Sequence, residues 1–449
     1  MAPTVRSFSA EFDPLDLIER FPENYPGLLE SGAAMPPGHG SGFDILPFVS
    51  GEFLKLDAAH GLSGAYAAHQ GFLQALENWW QALRTHDSPG LPFSGGWLLY
   101  LGYELAAEVE PSLRLPPSAD SLTALALRAP AGWIRDRSGG QSWLIAEDGY
   151  EELLDDFERR VLGLRAAAAS RGPTLHIEEE DSAIFLRAVD RALQYTAAGD
   201  VYQTNLSRQW HGTAARAIDP VAIYRRLRAT NPSPFAAILR FEDFAVLSSS
   251  PERLLEVRDG RVSTRPIAGT RPRGATAEDD ALLIRSLLQN EKERAEHVML
   301  IDLERNDLGR VCSAGSVRVD EFMSVESYAH VHHIVSNVTG RLRSDVSPVG
   351  VIRALFPGGT ITGCPKVRCM QIIAELEQRG RGAYTGSIGY LNRNGSCDLN
   401  ILIRTITTDG SKFSFRAGAG IVADSNPAQE LAETRAKAEG LLRAIEARL

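Results

Sequence analysis

Cysteine is scarce in this chain. Its 449 residues hold four, Cys312, Cys364, Cys369 and Cys397, and no two form a Cys-x-x-Cys pair. That excludes a zinc ribbon or a disulfide scaffold and leaves reduced thiols as the simpler reading. Long apolar runs are missing too: no stretch reaches the roughly 20 residues that a membrane-spanning helix needs. The N-terminus, Met1-Ala2-Pro3-Thr4-Val5-Arg6, lacks the apolar core of a signal peptide. A cytoplasmic location is the expectation. Nor is there an excess of positive charge. Lys and Arg number 47 against 57 Asp and Glu, for a net charge of −10 without a long basic run. Nucleic acid is therefore not an expected partner, and neither is a membrane.

What is present is ordinary globular material, 44% hydrophobic and 23% charged, enough for a large core. The texture divides into residues 1–165 and 182–449. Between them lies an Ala run, then Arg171-Gly172-Pro173 and three Glu, which reads as a surface connection. In the first part, 66–84 reads as helical and 125–145 as strands with a turn at Ser138-Gly139-Gly140. In the second, apolar Phe185, Val189 and Leu193 recur at i, i+4, i+8, predicting a helix over 182–198 closed by Gly199. Residues 235–250 read as two strands turning near Asp243, and 279–302 as one long helix. Strands are predicted over 386–391 and 400–407 around an Asn394-Gly395 turn, and over 413–421. A helix over 428–449 closes the chain. Strand pairs separated by long helices, without regular βαβ alternation, predict an α+β fold with antiparallel sheets.

Two acidic pairs carry the first chemical signal. Glu293 and Glu296 are three residues apart, as are Glu430 and Glu433. On a helix such pairs project from one face. Carboxylates from separate elements suit magnesium, which takes hard oxygen ligands and keeps several waters. Spacing alone favours a solvated helix face, since Glu at this interval is common on surface helices.

Pro357 to Lys366 reads Pro-Gly-Gly-Thr-Ile-Thr-Gly-Cys-Pro-Lys. Gly358 and Gly363 have the separation of a phosphate-binding loop, but Cys364 stands where that loop needs lysine, so a nucleotide site is excluded. The glycines and the Thr360 hydroxyl remain suited to close approach by an anionic ligand. Gly269-Thr270 lies among Arg265, Arg271 and Arg273. Glu252 follows a predicted strand end, and Ala417-Gly418-Ala419-Gly420 is small enough for backbone amides to meet a carboxylate.

Taken together, these segments resemble the chorismate-utilising enzymes. The resemblance rests on Glu-His-Val-Met-Leu-Ile-Asp-Leu-Glu-Arg-Asn-Asp-Leu-Gly-Arg-Val from Glu296 and the Gly-Thr-Ile-Thr-Gly-Cys-Pro-Lys segment. It rests also on His333-Ile334-Val335-Ser336, Arg404-Thr405 and Ala417 to Ser425. It covers the last 270 or so residues densely, in order. It implies one large, intertwined domain of two packed antiparallel sheets with helices outside. It implies Mg2+ held directly by Glu296 and Glu433, with Glu293 and Glu430 as outer carboxylates. Chorismate is the implied substrate, its second carboxylate held by Arg404, Lys437 and the amides of Gly418 and Gly420, beside Tyr384. Thr360, Gly269 and Thr270 would position the ring. Glu252 matches the general acid, and His333 the active-site histidine.

The product is a separate question. Many aminodeoxychorismate synthases carry a nucleophilic lysine at the position of Ala268, and alanine cannot form that covalent adduct. Ala268 taken alone points to anthranilate synthase. Gly199 to Leu206, with its Tyr-Gln-x-Asn-Leu, resembles the aminodeoxychorismate version instead, of which a subclass with alanine uses two ammonias. The resemblance therefore implies amination at C4, with anthranilate formation as the alternative and a non-catalytic chorismate or tryptophan sensor ranked below both. Lacking a recognisable glutaminase motif, the chain is expected to draw ammonia from a glutamine amidotransferase subunit. Leu29, Glu30 and Ser31, with Pro232, Ser233 and Phe235, resemble parts of the family's tryptophan pocket.

Overall fold

The computed structural model describes residues 2–32, 42–68, 71–164, 175–327 and 331–446. Among these, the strands form two large sheets of 12 and 11 strands, and every pairing is antiparallel. This is the α+β architecture that the strand-pair pattern predicted. Early and late segments share both sheets. Gly27–Glu30 lies beside Phe235–Phe241 in the first sheet, and Gly96–Leu101 beside Ser387–Asn392 in the second.

The first sheet carries helices Ser182–Ala197, Pro220–Thr230 and Pro427–Glu446 on its outer face. Ser182–Ala197 starts where predicted because Asp181 caps it, its side chain accepting from the Ala183 amide at 3.0 Å. Phe185, Val189 and Ala192 form its buried stripe, packed on Leu206, Ala419 and Ile421. Each large apolar side chain in such a stripe contributes about 1.5–3 kcal/mol. A charge at Val189, which is fully buried, would open this contact.

Four expectations need correcting, and two of the corrections shape the site. Residues 279–302 are not one helix. The chain forms Ala277–Gln289, breaks at Asn290 in an extended conformation, and restarts as Glu291–Gly309. Asn290 accepts from the Glu293 amide at 3.1 Å. An asparagine that competes for backbone hydrogen bonds favours a cap over a helix interior. The restart puts Glu293 in a first helical turn. Residues 400–407 are not one strand either. Cys397–Asn400 belongs to the second sheet and Thr405–Asp409 to the first, and the chain crosses between them through Arg404 at φ 51°. Leu175–Glu179 is an edge strand on Gln203–Ala214 rather than a loop; residues 165–174 of that connection lie outside the described residues. The N-terminal helix is shorter than its apolar pattern, Phe72–Leu83, and its predicted start includes residues 69–70, outside the described set.

Elsewhere the pattern holds. Phe235–Phe241 and Phe244–Ser250 form a hairpin turning at Glu242-Asp243. Gly395, at φ 87°, turns between Ser387–Asn392 and Cys397–Asn400, a conformation that glycine adopts without cost. The closing helix runs Pro427–Glu446; 447–449 lie outside the described residues.

Candidate active site

One cavity of about 770 Å³ opens beside the closing helix. Every residue that the sequence put forward for catalysis, substrate or metal lines it: Glu252, Ala268, Gly269, Thr270, Glu293, Glu296, His333, Thr360, Tyr384, Arg404, Gly418, Gly420, Glu430, Glu433 and Lys437. Both sheets and two helices contribute, so the convergence is tertiary.

Glu252 lies just past the end of Phe244–Ser250, and the Thr360 hydroxyl donates to its Oε1 at 2.5 Å. Burial pushes its carboxyl up to about 7. The Thr360 hydrogen bond, then Lys437 and Arg404, pull the other way without prevailing. Such a carboxyl is partly protonated at neutral pH and can donate a proton. Arg404 lines the same space. Burial lowers its pKa and the Glu252 carboxylate raises it.

His333, on Val331–Arg341, stands opposite Thr270 on Ile267–Pro272. Its Nδ1 is 3.0 Å from Thr270 Oγ1 and 3.3 Å from the Gly269 carbonyl oxygen. A carbonyl only accepts, so the contact favours the tautomer with hydrogen on Nδ1. Burial, then the positive charge of Arg404, hold the ring well below the usual histidine range, at about 4. His333 is therefore neutral at pH 7. The register slips between Ala268 and Thr270, with Gly269 at φ 66°. The left-handed φ at Gly269 favours glycine there, and a Cβ would also press on Glu293 Oε2 at 2.5 Å.

Gly418 and Gly420 occupy Lys412–Val422, opposite Ser207 and Asn205. The Asn205 amide donates to the Thr362 carbonyl at 3.0 Å and the Ser207 amide to Glu377 Oε1 at 2.8 Å. Both point away from the glycine strand. In an antiparallel ladder their partners then point away as well. The amides of Gly418 and Gly420 thus face the opposite edge. There the neighbouring strand has stopped pairing at Ile406–Phe415, leaving that edge to the cavity. Lys437, on the closing helix, donates to the Gly418 carbonyl at 3.0 Å and pairs with Glu433 one turn earlier at 2.6 Å. Tyr384 is buried, its hydroxyl pushed up to about 12.

The four glutamates of the acidic pairs face one another across two helices. Burial raises the Glu296 pKa, and repulsion from Glu293 and Glu433 raises it further. Glu430 is raised by burial, against a hydrogen bond from Ser425. Arg271 holds Glu293 at 2.8 Å, and Gln203 Nε2 donates to Glu296 at 3.2 Å. Among the described residues, no three acidic, His or Cys side chains are gathered tightly enough to hold a metal ion. The carboxylates are close enough to repel but are not drawn to one point.

The residues that resemble a tryptophan pocket divide. Leu29, Glu30, Ser31 and Phe235 line a separate space of about 160 Å³ between the sheets, floored by Arg253, Glu256 and Asp398. Pro232 and Ser233 instead line the large cavity, so they do not share one pocket with the others. The loop after helix Pro220–Thr230 turns these two toward the cavity and away from the sheet interior.

Sequence reasoning missed several lining residues, among them Gln203, Asn205, Arg271 and Arg416. Gln203 and Asn205 stand two apart on strand Gln203–Ala214 and so share one face, but no strand was predicted there. It also missed buried Glu304, which lies behind Gly359 on helix Glu291–Gly309; burial and Asp307 raise its pKa, with Lys366 opposing.

A buried acid, a neutral histidine, cations and open amides at one cavity, faced by four carboxylates, define an enzyme site for a multiply charged anion. The family model for chorismate binding enzyme matches residues 50–443. The chain belongs to this family. It is 43% identical over 394 residues to aminodeoxychorismate synthase component 1 of Bacillus subtilis, covering 83% of this chain and 82% of that one. It is 44% identical over 362 residues to an anthranilate synthase component I-like protein of Synechocystis, covering 79% and 74%. The solved anthranilate synthase component I of Streptococcus pneumoniae superposes with a TM-score of 0.80 at 30% identity, covering 91% of this chain and 94% of that one. Among the described residues, no helix is long and apolar enough to cross a membrane.

Proposed function

We propose that this enzyme aminates chorismate at C4 to give 4-amino-4-deoxychorismate, with ammonia supplied by a glutamine amidotransferase partner. The observation that carries the choice of product is the placement of the Tyr-Gln-x-Asn-Leu segment: Gln203 and Asn205 form cavity wall. The partner is supported by relatives named as component 1 of their synthases.

The residues suit the reaction. Arg404, Lys437 and the amides of Gly418 and Gly420 bind the enolpyruvyl carboxylate. The His333–Thr270 contact fixes the strand that bears on the ring. Glu252 gives its proton to the C4 hydroxyl, which leaves as water while a first ammonia bonds to C2 and the diene shifts. A second ammonia bonds to C4, and the nitrogen at C2 leaves as ammonia. The ammonium at C4 then returns a proton to Glu252. Ala268 is buried in the cavity wall and offers no nucleophile, so no bond to the enzyme forms.

Magnesium fits the donor set. The four carboxylates supply hard oxygens, and the mutual repulsion that raises Glu296 is what a divalent cation relieves. Glu296 and Glu433 would hold it, with Glu293 and Glu430 outside. When bound it supplies Lewis-acid stabilisation of charge at the ring carboxylate.

Anthranilate formation is the second reading, and Ala268 favours it. The enzyme incubated with chorismate, Mg2+ and ammonium should form 4-amino-4-deoxychorismate, identified by chromatography. Anthranilate as main product would refute the C4 assignment.

A further inference from the structure

Far from the catalytic cavity, the second sheet gathers arginines on one face. Arg261, on Arg261–Thr264, stands directly opposite Arg341 on Val331–Arg341. Arg318, on Arg318–Ser327, stands opposite Thr339, two residues before Arg341. Directly paired residues share a face of a sheet, and so do residues two apart on a strand. All three arginines therefore leave the same face, and all three are exposed. Val262 and Val338, one position off, are fully buried on the other side. Among the described residues, Arg261, Arg318 and Arg341 have no side-chain hydrogen bond or ion pair.

Like charges directly opposite in an antiparallel pair are unfavourable, and elsewhere this sheet neutralises its arginines. Arg265, just past the same strand, is held by Glu321 at 2.9 Å and Glu326 at 2.5 Å. Arg253 is held by Asp398 at 2.8 Å, and Arg343 by Asp345 at 3.2 Å. Arg258, across the turn from Arg261, leans away to the Gly90 carbonyl.

The three arginines surround a hollow of about 340 Å³, closed by Asp259, Gly315, Ser316, Thr339 and Gly340. The size is that of a small-molecule site. The lining lacks the aromatic and large apolar residues that form the centre of a protein interface. Asp259 sets one negative charge against three positive ones. The walls are tied together: the Ser313 amide donates to the Arg341 carbonyl at 2.8 Å, and the Arg341 amide to Ser316 Oγ at 3.1 Å.

Guanidinium forks arriving from three strands suit an anion whose oxygens point in several directions. A carboxylate is planar and offers two oxygens. A phosphoryl group offers three, and a chain of them can bridge strands that lie about 4.8 Å apart. We propose that Arg261, Arg318 and Arg341 form a binding site for a polyphosphate anion, either free or as the phosphate chain of a nucleotide. Arg341 follows His333 by eight positions on one strand, roughly 26 Å at about 3.3 Å per residue. The site is thus separate from the catalytic cavity and independent of which product the enzyme makes.

Calorimetric titration with sodium tripolyphosphate, in Mg2+-free buffer at low salt, tests it on wild type and the double variant Arg261→Gln/Arg341→Gln. Both replaced side chains are exposed and like-charged, so the variant should melt no lower than wild type. Wild type should bind one tripolyphosphate, and the variant should bind it at least about tenfold more weakly, the worth of one charge-assisted hydrogen bond. Saturating chorismate should not compete. No binding to wild type, or equal affinity in the two proteins, overturns the proposal. Displacement by chorismate also overturns it, because the probe would then sit by Arg404 and Lys437. Polyglutamate bound as tightly as tripolyphosphate overturns it in favour of an acidic protein partner. ATP bound more tightly than tripolyphosphate supports the site and assigns it to a nucleotide; ATP bound no more tightly supports it and assigns it to the phosphate chain alone. Should the double variant melt early, Arg318→Gln carries the same comparison.

Discussion

Replacing Glu252 by glutamine removes a proton donor and a buried charge together, and pH separates the two effects. The carboxyl is pushed from its ordinary 4.5 to about 7 by burial. Below pH 4.5 it is neutral whether the chain is folded or unfolded. Between 4.5 and 7 the unfolded chain ionises first, so wild-type stability falls as pH rises; above 7 both states are charged and the loss is complete. At about 1.36 kcal/mol per pH unit, this window amounts to about 3 kcal/mol. Glutamine does not titrate. Urea unfolding at pH 4.5 and pH 8.5 should therefore show the stability of Glu252→Gln, relative to wild type, improving by about 3 kcal/mol at the higher pH. Any fixed cost of the replacement cancels between the two conditions. Over the same range, wild-type kcat should decline above pH 7 as the acid ionises, whereas the variant, slower by about 10²–10⁴ below pH 7, should not share that decline. A stability difference that does not change with pH would show that Glu252 is not held protonated. Wild-type turnover in the variant would show that it is not the acid.

Glu296→Gln should weaken magnesium binding by at least ~10–100-fold, the range for supporting groups around a metal, read by calorimetric titration with MgCl2. Unchanged affinity would refute its place as a ligand. Gly418→Ala places a Cβ 2.5 Å from the Tyr384 hydroxyl and 2.6 Å from the Leu206 carbonyl. It should cost about 1–3 kcal/mol of stability through overpacking and raise KM for chorismate. Normal melting with normal KM would mean that the strand edge is not the carboxylate site.

Much of the fold was legible because its signals are local. The stripe of Phe185 and Val189 and the cap at Asp181 belong to neighbours along the chain, and so do the hairpin turns at Asp243 and Gly395. The misreadings fell where local signals conflict with long-range demands. Asn290 interrupts an unbroken helical pattern because its side chain caps the next helix. Residues 400–407 read as one strand because nothing local records that the chain changes sheets at Arg404.

The chemistry was written in the sequence by itself: two carboxylate pairs, an acid at a strand end, a histidine, cations and small-residue strands, in an order that resembles one family. The sequence could not place them around one point, because convergence depends on contacts between residues hundreds of positions apart. Register and strand length decided that the Gly418 and Gly420 amides face an open edge. Burial decided that Glu252 is partly protonated and His333 neutral at pH 7. Only the tertiary structure turned Gln203 and Asn205 into cavity wall, because the residues they face come from distant parts of the chain.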